Sequence, residues 1–231
     1  MVGEAWRGEL IVGDRWARWR GGVGDNAAHR HLAAQAVLAE SDVEIEDGQG
    51  RVFRGRRILI DPLVEHRLGA APHADVLLIE STRLGQDARA EIAALDLDLS
   101  SVVLLEAARP SMRFWRSLLT GGVAPLAAPG EAITRSLRRI DQDLAAGPVR
   151  IQGAADAAGL STERYRHVFV AVMGLPFRRY VLWRRLMRAF TAMAAGEAAT
   201  SAAHTAGFAD SAHMARTVRA MLGVTARQIV S

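Results

Sequence analysis

Ala154-Ala155-Asp156-Ala157-Ala158-Gly159-Leu160-Ser161, leading to Val172-Met173-Gly174-Leu175, is matched by Ala202-Ala203-His204-Thr205-Ala206-Gly207-Phe208, leading to Met221-Leu222-Gly223-Val224. The copies are offset by 48 residues at the first glycine and 49 at the second, the signature of one supersecondary unit used twice. The unit reads as a helix-turn-helix. Such a motif needs a small residue where its helices cross, a residue at ease with positive φ in the turn, and an apolar residue that pins the turn to the core. Ala155, Gly159 and Leu160 fill these places in the first copy, and Ala203, Gly207 and Phe208 in the second. Ser161 and Asp210 then stand where a side-chain oxygen can cap the second helix of each pair. The buried stripes are Tyr165, Val168, Phe169 and Val172, and Met214, Val218, Met221 and Leu222, each spaced as one helical face. The opposite faces carry Thr162, Glu163, Arg166 and His167 in one copy and Ser211, His213 and Arg216 in the other, near the helix starts where such helices meet base edges.

Between the copies, Pro176 to Ala195 has one apolar stripe (Val181, Leu182, Leu186, Phe190) and reads as a single long helix. About 20 residues at about 1.5 Å each span about 30 Å, close to the roughly 34 Å turn of B-DNA, so two reading helices can reach successive major grooves. Charge agrees with this. From Gly147 onward 11 arginines face 4 acidic residues, a net of +7, whereas the preceding chain is at −3. All 29 basic residues are arginine, which first reflects a GC-rich coding bias. The uneven distribution carries more meaning, because a basic domain joined to a mildly acidic one is the electrostatic footprint of nucleic-acid binding.

Working towards the N-terminus, the texture changes. Up to about residue 81, short runs of period-two character (Glu9 to Val12, Val43 to Glu46, Asp75 to Ile79) alternate with glycines, and Asp47-Gly48-Gln49-Gly50 signals a hairpin. A small barrel or sandwich is expected there. From 84 to 146 apolar residues recur at helical spacing (Ala88 to Leu95; Phe114, Trp115, Leu118, Leu119; Ile133, Leu137, Ile140, Leu144), with Pro110, Pro125 and Pro129 as breaks. This is expected to be a helical connector, with Ala124 to Gly130 as a linker. With 231 residues and 50% apolar content, the chain can fill one large or two small cores. The absence of cysteine excludes disulfide scaffolds, thiolate zinc sites and cysteine nucleophiles. No run of 18 apolar residues exists, and Glu4, Arg7 and Glu9 interrupt the first ten residues, so a cytoplasmic protein without membrane contact is expected.

These motifs resemble the AraC family of bacterial transcription regulators over about residues 147–230. The resemblance rests on Ala154-Ala155-x-x-x-Gly159-Leu160-Ser161, Gly174-Leu175-Pro176-Phe177-x-x-Tyr180, Arg184-x-x-x-Arg188-Ala189, Ala203-x-x-x-Gly207-Phe208-x-Asp210-Ser211 and Arg216-Thr217-x-x-x-Met221-Leu222-Gly223-Val224-Thr225. Ala226 stands where the family usually has proline, and Gln228 to Ser231 lack its aromatic-arginine continuation, so a short last helix is expected. The resemblance implies DNA contacts from Ser161, Thr162, Glu163, Arg166 and His167, and from Ser211, Ala212, His213 and Arg216. Arg166 and Arg216 suit guanine or phosphate, Glu163 suits cytosine N4, and Ala212 suits a thymine methyl.

His29-Arg30-His31 with Gln35, and Pro62-x-x-x-His66, resemble the two motifs of cupin barrels. If His29 and His31 alternate on a strand they face one cavity, where His66 can complete a three-imidazole set. Gln35 replaces the usual glutamate ligand, so a metal is not assigned to these three candidates and no cofactor is expected. The resemblance implies an effector-binding module with a pocket lined by Trp19, His29, His31, Gln35 and His66, and Trp16 nearby. The expected architecture is therefore α+β and multidomain. It comprises a cupin-like β-barrel sensor (1–83), a helical connector that can also dimerise (84–146), and an all-α DNA-binding domain with two helix-turn-helix units (147–231). The expected function is sequence-specific regulation of transcription, with operator DNA, RNA polymerase, a small effector and a second copy as partners. A metal-dependent cupin enzyme with a helical appendage and a non-specific nucleic-acid binder are the rival readings.

Overall fold

The computed structural model describes residues 6–24, 26–82, 84–120, 130–225 and 228. The N-terminal part is a sheet of β1 (Arg7–Gly13), β2 (Trp16–Val23), β3 (Ala33–Asp47), β4 (Val52–Ile60), β5 (His66–Leu68), β6 (Ala71–Glu80) and β7 (Val103–Leu105). Its order is β1-β2-β6-β3-β4-β7, with β5 also pairing β3. β3 lies at the centre, and a register shift between Leu38 and Val43 against β4 interrupts its regular pairing. The hairpin at Asp47 forms as the sequence suggests: Asp47 Oδ1 accepts from the amides of Gln49 and Arg51, and Gly50 sits at φ +77°, a left-handed conformation that glycine adopts at little cost.

Period-two alternation splits the sheet into two buried faces. Trp16, Ala34, Ala36, Leu59, Leu77 and Ile79 pack with Phe114 and Trp115 on one side, while Trp19, Val37, Ile58, Ile60 and Val76 belong to the core shared with the C-terminal helices. Helices therefore cover what barrel closure would otherwise protect. Among the described residues β1 and β7 end the sheet without pairing to each other, so it is an open sheet; strand spacing leaves both barrel and sandwich open, and the closed cupin-like barrel that the resemblance implies is not formed.

The segment 84–146 is helical only in part. It contains α1 (Gln86–Ala93), α2 (Phe114–Leu119) and α3 (Glu131–Ala146), but between α1 and α2 it returns to the sheet as β7, parallel to β4. Three residues of β-branched and leucine side chains are too few for periodicity to reveal a strand. Ala124 to Pro129 of the expected linker lie outside the described residues, as does Ala226. In α3 the apolar stripe Ile133, Leu137, Ile140 and Leu144 is buried, and Ser136 Oγ lies 3.0 Å from the Tyr165 hydroxyl.

Five further helices follow: α4 (Ile151–Ala158), α5 (Thr162–Met173), α6 (Phe177–Ala194), α7 (Ala199–Thr205) and α8 (Ser211–Leu222). The 18 residues of α6 make it about 27 Å long, and Pro176 stands just outside as its N-cap. Among the described residues no helix is long and apolar enough to cross a membrane.

Candidate nucleic-acid interface and ligand cavity

The two sequence copies fold into helix pairs with matching turns. Gly159 and Gly207 adopt φ +70° and +82°. The next amide returns to the preceding helix in both, Leu160 to Ala155 O at 3.0 Å and Phe208 to Ala203 O at 2.9 Å. Ala155 and Ala203 are fully buried, which lets the helices cross closely. Ser161 Oγ accepts from the Arg164 amide at 3.3 Å to cap α5, and Asp210 Oδ1 accepts from the His213 amide at 2.6 Å to cap α8. The buried stripe of α8 is the one the periodicity gives; in α5, Tyr165 and Phe169 are buried and Val168 and Val172 are half-buried.

Opposite these stripes, Ser161, Glu163, Arg166, His167, Ala212 and Arg216 are exposed, and Thr162, Ser211 and His213 are half-buried. Thr162 donates to Gln152 Oε1 at 2.6 Å and so ties α5 to α4. The His213 ring stands edge-on to Phe208 at 5.3 Å. Arg166 and His213 line the same groove, together with Arg178 and Arg185 of α6, and no acidic residue lines it among the described residues. Arg185 Nε is buried there without a hydrogen-bond partner, and burial lowers the guanidinium pKa. The sequence reading missed Arg178 and Arg185. Their spacing of seven, two helical turns, was the available signal. It also missed Val170, which is 39% exposed on α5.

A second site lies between the sheet and the helices. Trp19, His29, His31 and Gln35 line a cavity of about 60 Å³ that Phe190 of α6, Leu222 of α8 and Val224 close from the other side. Trp16 is not part of it: it faces the opposite side of the sheet and donates to Asp87 Oδ2 at 2.9 Å. His29 and His31 are not on a strand proper. They occupy an extended stretch before β3, where His29 and His66 exchange both backbone hydrogen bonds at 3.0 Å.

The three imidazoles are buried, and each offers a ring nitrogen within 4.8 Å of the others. Each Nδ1 faces a carbonyl two residues away, Ala27, Ala33 and Val64, at 2.9 to 3.0 Å. Burial lowers all three pKa values, to about 3 for His31, so the rings are neutral near pH 7. His31 Nε2 lies 3.0 Å from Gln35 Oε1; a neutral ring that donates from Nδ1 accepts at Nε2, a pairing that requires the Gln35 amide turned over so that its NH2 group faces the ring. Among the described residues, these three histidines form the cluster whose ring nitrogens could hold a metal ion.

Residues 154–230 match the family described as helix-turn-helix domain. The transcriptional activator RhrA of Rhizobium meliloti (strain 1021) is 36% identical over 107 residues, which cover 45% of this chain and 34% of RhrA. The chain thus spans about a third of the length of that curated relative. ToxT from Vibrio cholerae O395 superposes with a TM-score of 0.60 at 10% identity, covering 94% of this chain and 98% of ToxT. Wild-type ToxT bound to an unsaturated fatty acid gives 0.55 at 11% identity, covering 93% and 94%. At such identities the likeness concerns the fold. Residues 154–230, with their two helix pairs of matching turns and caps, are thus similar to a helix-turn-helix domain, in a chain with the fold of ToxT.

Proposed function

We propose that this chain is a sequence-specific transcription regulator in which α5 and α8 are the reading helices of two helix-turn-helix units joined by α6. The observation that carries the reading is the duplicated, capped helix pair, with Arg166 of α5 and His213 of α8 lining one groove beside Arg178 and Arg185. Glu163, Arg166 and His167 on α5, and Ser211, Ala212, His213 and Arg216 on α8, are the base-edge candidates. Ser161 and Thr162 sit at the first helix start, and Arg178 and Arg185 are suited to the phosphates between the two readers. The likeness to an activator and to a fatty-acid-bound fold supports control by a small ligand near Trp19, His29, His31, Gln35 and His66. The division into sensor (1–83), connector (84–146) and reader (147–231) is part of this reading, with β7 and α2 of the connector completing the sheet and its core. Recruitment of RNA polymerase, pairing with a second copy and a cytoplasmic setting belong to the same reading. The helix-turn-helix match favours it over an enzyme with a helical appendage.

The test is selection of random duplex DNA by the purified chain at near-physiological salt. A bipartite motif with half-sites about 10 base pairs apart is expected. Arg166→Ala should lose about 1 to 3 kcal/mol and relax specificity at one position. Enrichment of no motif, or equal binding of unrelated DNA at fixed salt, would refute the proposal.

A further inference from the structure

The repeat ends each candidate reading helix on a glycine, Gly174 after α5 and Gly223 after α8, both left-handed (φ +74° and +69°). The N-terminal part of the chain touches both glycines through one short ribbon. Residues 26–31 and 63–68 run antiparallel there: Asn26 Oδ1 accepts from the Leu68 amide at 2.9 Å, His29 and His66 exchange backbone bonds at 3.0 Å, and the Leu63 amide donates to His31 O at 2.8 Å. At one end the Ala27 amide donates to Gly223 O at 2.9 Å. At the other, a Cβ on Gly174 would lie 2.7 Å from Leu63 Cδ1 and 2.6 Å from Met112 Cε, so both side chains press on the bare glycine. Arg109 Nη1 adds a bond to Ala171 O in the last turn of α5 at 3.2 Å. The ribbon is itself held, because Asp61 accepts from the amides of Ala107 and Trp115 at 3.0 and 3.1 Å. Leu63 has φ +64°, a conformation that a leucine keeps only where its surroundings impose it.

We propose that this ribbon is a spacer between α5 and α8, with Leu63 as the positioning residue at the α5 end and the Ala27 backbone at the α8 end. It sets the distance and tilt between the two helices, and with them the half-site spacing that the chain accepts. The helix α6 does not fix this geometry alone. The turns at its ends carry Gly174 and Gly196 (φ +92°), and a Cβ on Gly196 would meet nothing within 4 Å, so little packing opposes rotation there. A cavity of about 290 Å³, lined by Arg30, His31, Leu63, Leu175, Arg179 and Trp183, separates part of the ribbon from α6, so the hold falls on the ribbon ends. Moving a half-site by one base pair shifts it by about 3.4 Å and turns it by about 34° around the duplex. Two helices braced at their C-terminal ends do not follow such a change. The spacing rests on the reading of α5 and α8 as DNA readers; the bracing of the two helices does not.

The experiment uses the full chain, whose lack of cysteine lets Arg164→Cys and Ala220→Cys, both exposed, carry a pair of spin labels on α5 and α8. Double electron–electron resonance should give one narrow distance distribution for the parent. Leu63→Gly removes the contact with Gly174 but also the cost of a left-handed leucine, so the distribution should broaden while the melt stays cooperative. Arg109→Ala, at an exposed side chain, should broaden it less, and Leu63→Met, of similar volume, should restore the parent distribution. Unlabelled chains are then compared on duplexes whose half-sites are moved one base pair from the selected spacing. The parent should lose at least about tenfold in affinity and Leu63→Gly less than about threefold. Distances that neither Leu63→Gly nor Arg109→Ala changes overturn the proposal, as does an unaltered spacing preference in chains whose distances have broadened. If the parent selects no DNA motif, the reading of α5 and α8 fails, and the distances still decide whether the ribbon braces them.

Discussion

At the scale of single residues, the left-handed glycines separate conformational need from close contact. Gly159 has φ +70° and nothing within 4 Å of where a Cβ would stand, whereas a Cβ on Gly223 (φ +69°) would lie 2.2 Å from Ala27 O and 2.8 Å from His29 Nδ1. Gly159→Ala should therefore cost only the backbone strain, about 1 to 2 kcal/mol. Gly223→Ala adds a clash with backbone where the Ala27 amide donates to Gly223 O at 2.9 Å, so a loss beyond about 3 kcal/mol is expected. Urea unfolding of the two variants checks this, and equal losses would mean that α8 is not held against the histidine segment. The turn role of Gly159 was legible in the repeat, which marked Gly223 only as the counterpart of Gly174. The contact with Ala27 was not, because it joins segments almost 200 residues apart.

At the scale of elements, the repeat made the helix pairs legible because turn chemistry and caps are local. Asp210 accepts at 2.6 Å and carries a charge at the positive end of α8, while Ser161 is neutral and accepts at 3.3 Å. Asp210→Ala should thus cost about 1 to 2 kcal/mol and Ser161→Ala about 0.5 to 1. Thermal unfolding monitored by circular dichroism would show this order, and its reversal would show that the caps do not set helix stability. The histidine pattern was legible for a related reason: His29-x-His31 with Gln35 is local, and only His66 comes from another element. Two things escaped. β7 exists only through pairing with β4, and the open sheet reflects burial by α1 and α2, which period-two runs do not encode.

At the scale of the whole molecule, the sheet and the C-terminal helices are joined by buried charges that no spacing in the sequence announces. Arg15, in the turn between β1 and β2, pairs with Glu80 at the end of β6 and with Asp141 of α3. Arg184 of α6 pairs with the same two acids at 2.8 and 3.2 Å. The Glu80 carboxylate also accepts from Thr82, Tyr180 and Trp183 at 2.6, 3.1 and 3.3 Å. Burial alone would raise the Glu80 pKa, but Arg184, Arg15 and the hydroxyl of Thr82 bring it down to about 2. A folded value below the unfolded one of about 4.5 means stability that is fully present above pH 4.5 and lost as the pH falls towards 2. The difference corresponds to about 3 kcal/mol. Burial pushes Asp141 the other way, so its titration opposes part of that slope in the parent protein. The variant Glu80→Gln isolates the carboxylate. At pH 7 it leaves two buried guanidinium groups short of a partner and should cost about 3 to 5 kcal/mol. The gap to the parent should narrow as the pH falls through 4.5, which urea midpoints at pH 7, 5 and 3.5 would follow. A gap that stays constant would show that Glu80 is not the ionised link between sheet and helices. With the link intact, a change in the sheet at Glu80 bears on α6, the helix between the two helix pairs, and under the proposed function that is the route from the ligand cavity to the reading helices.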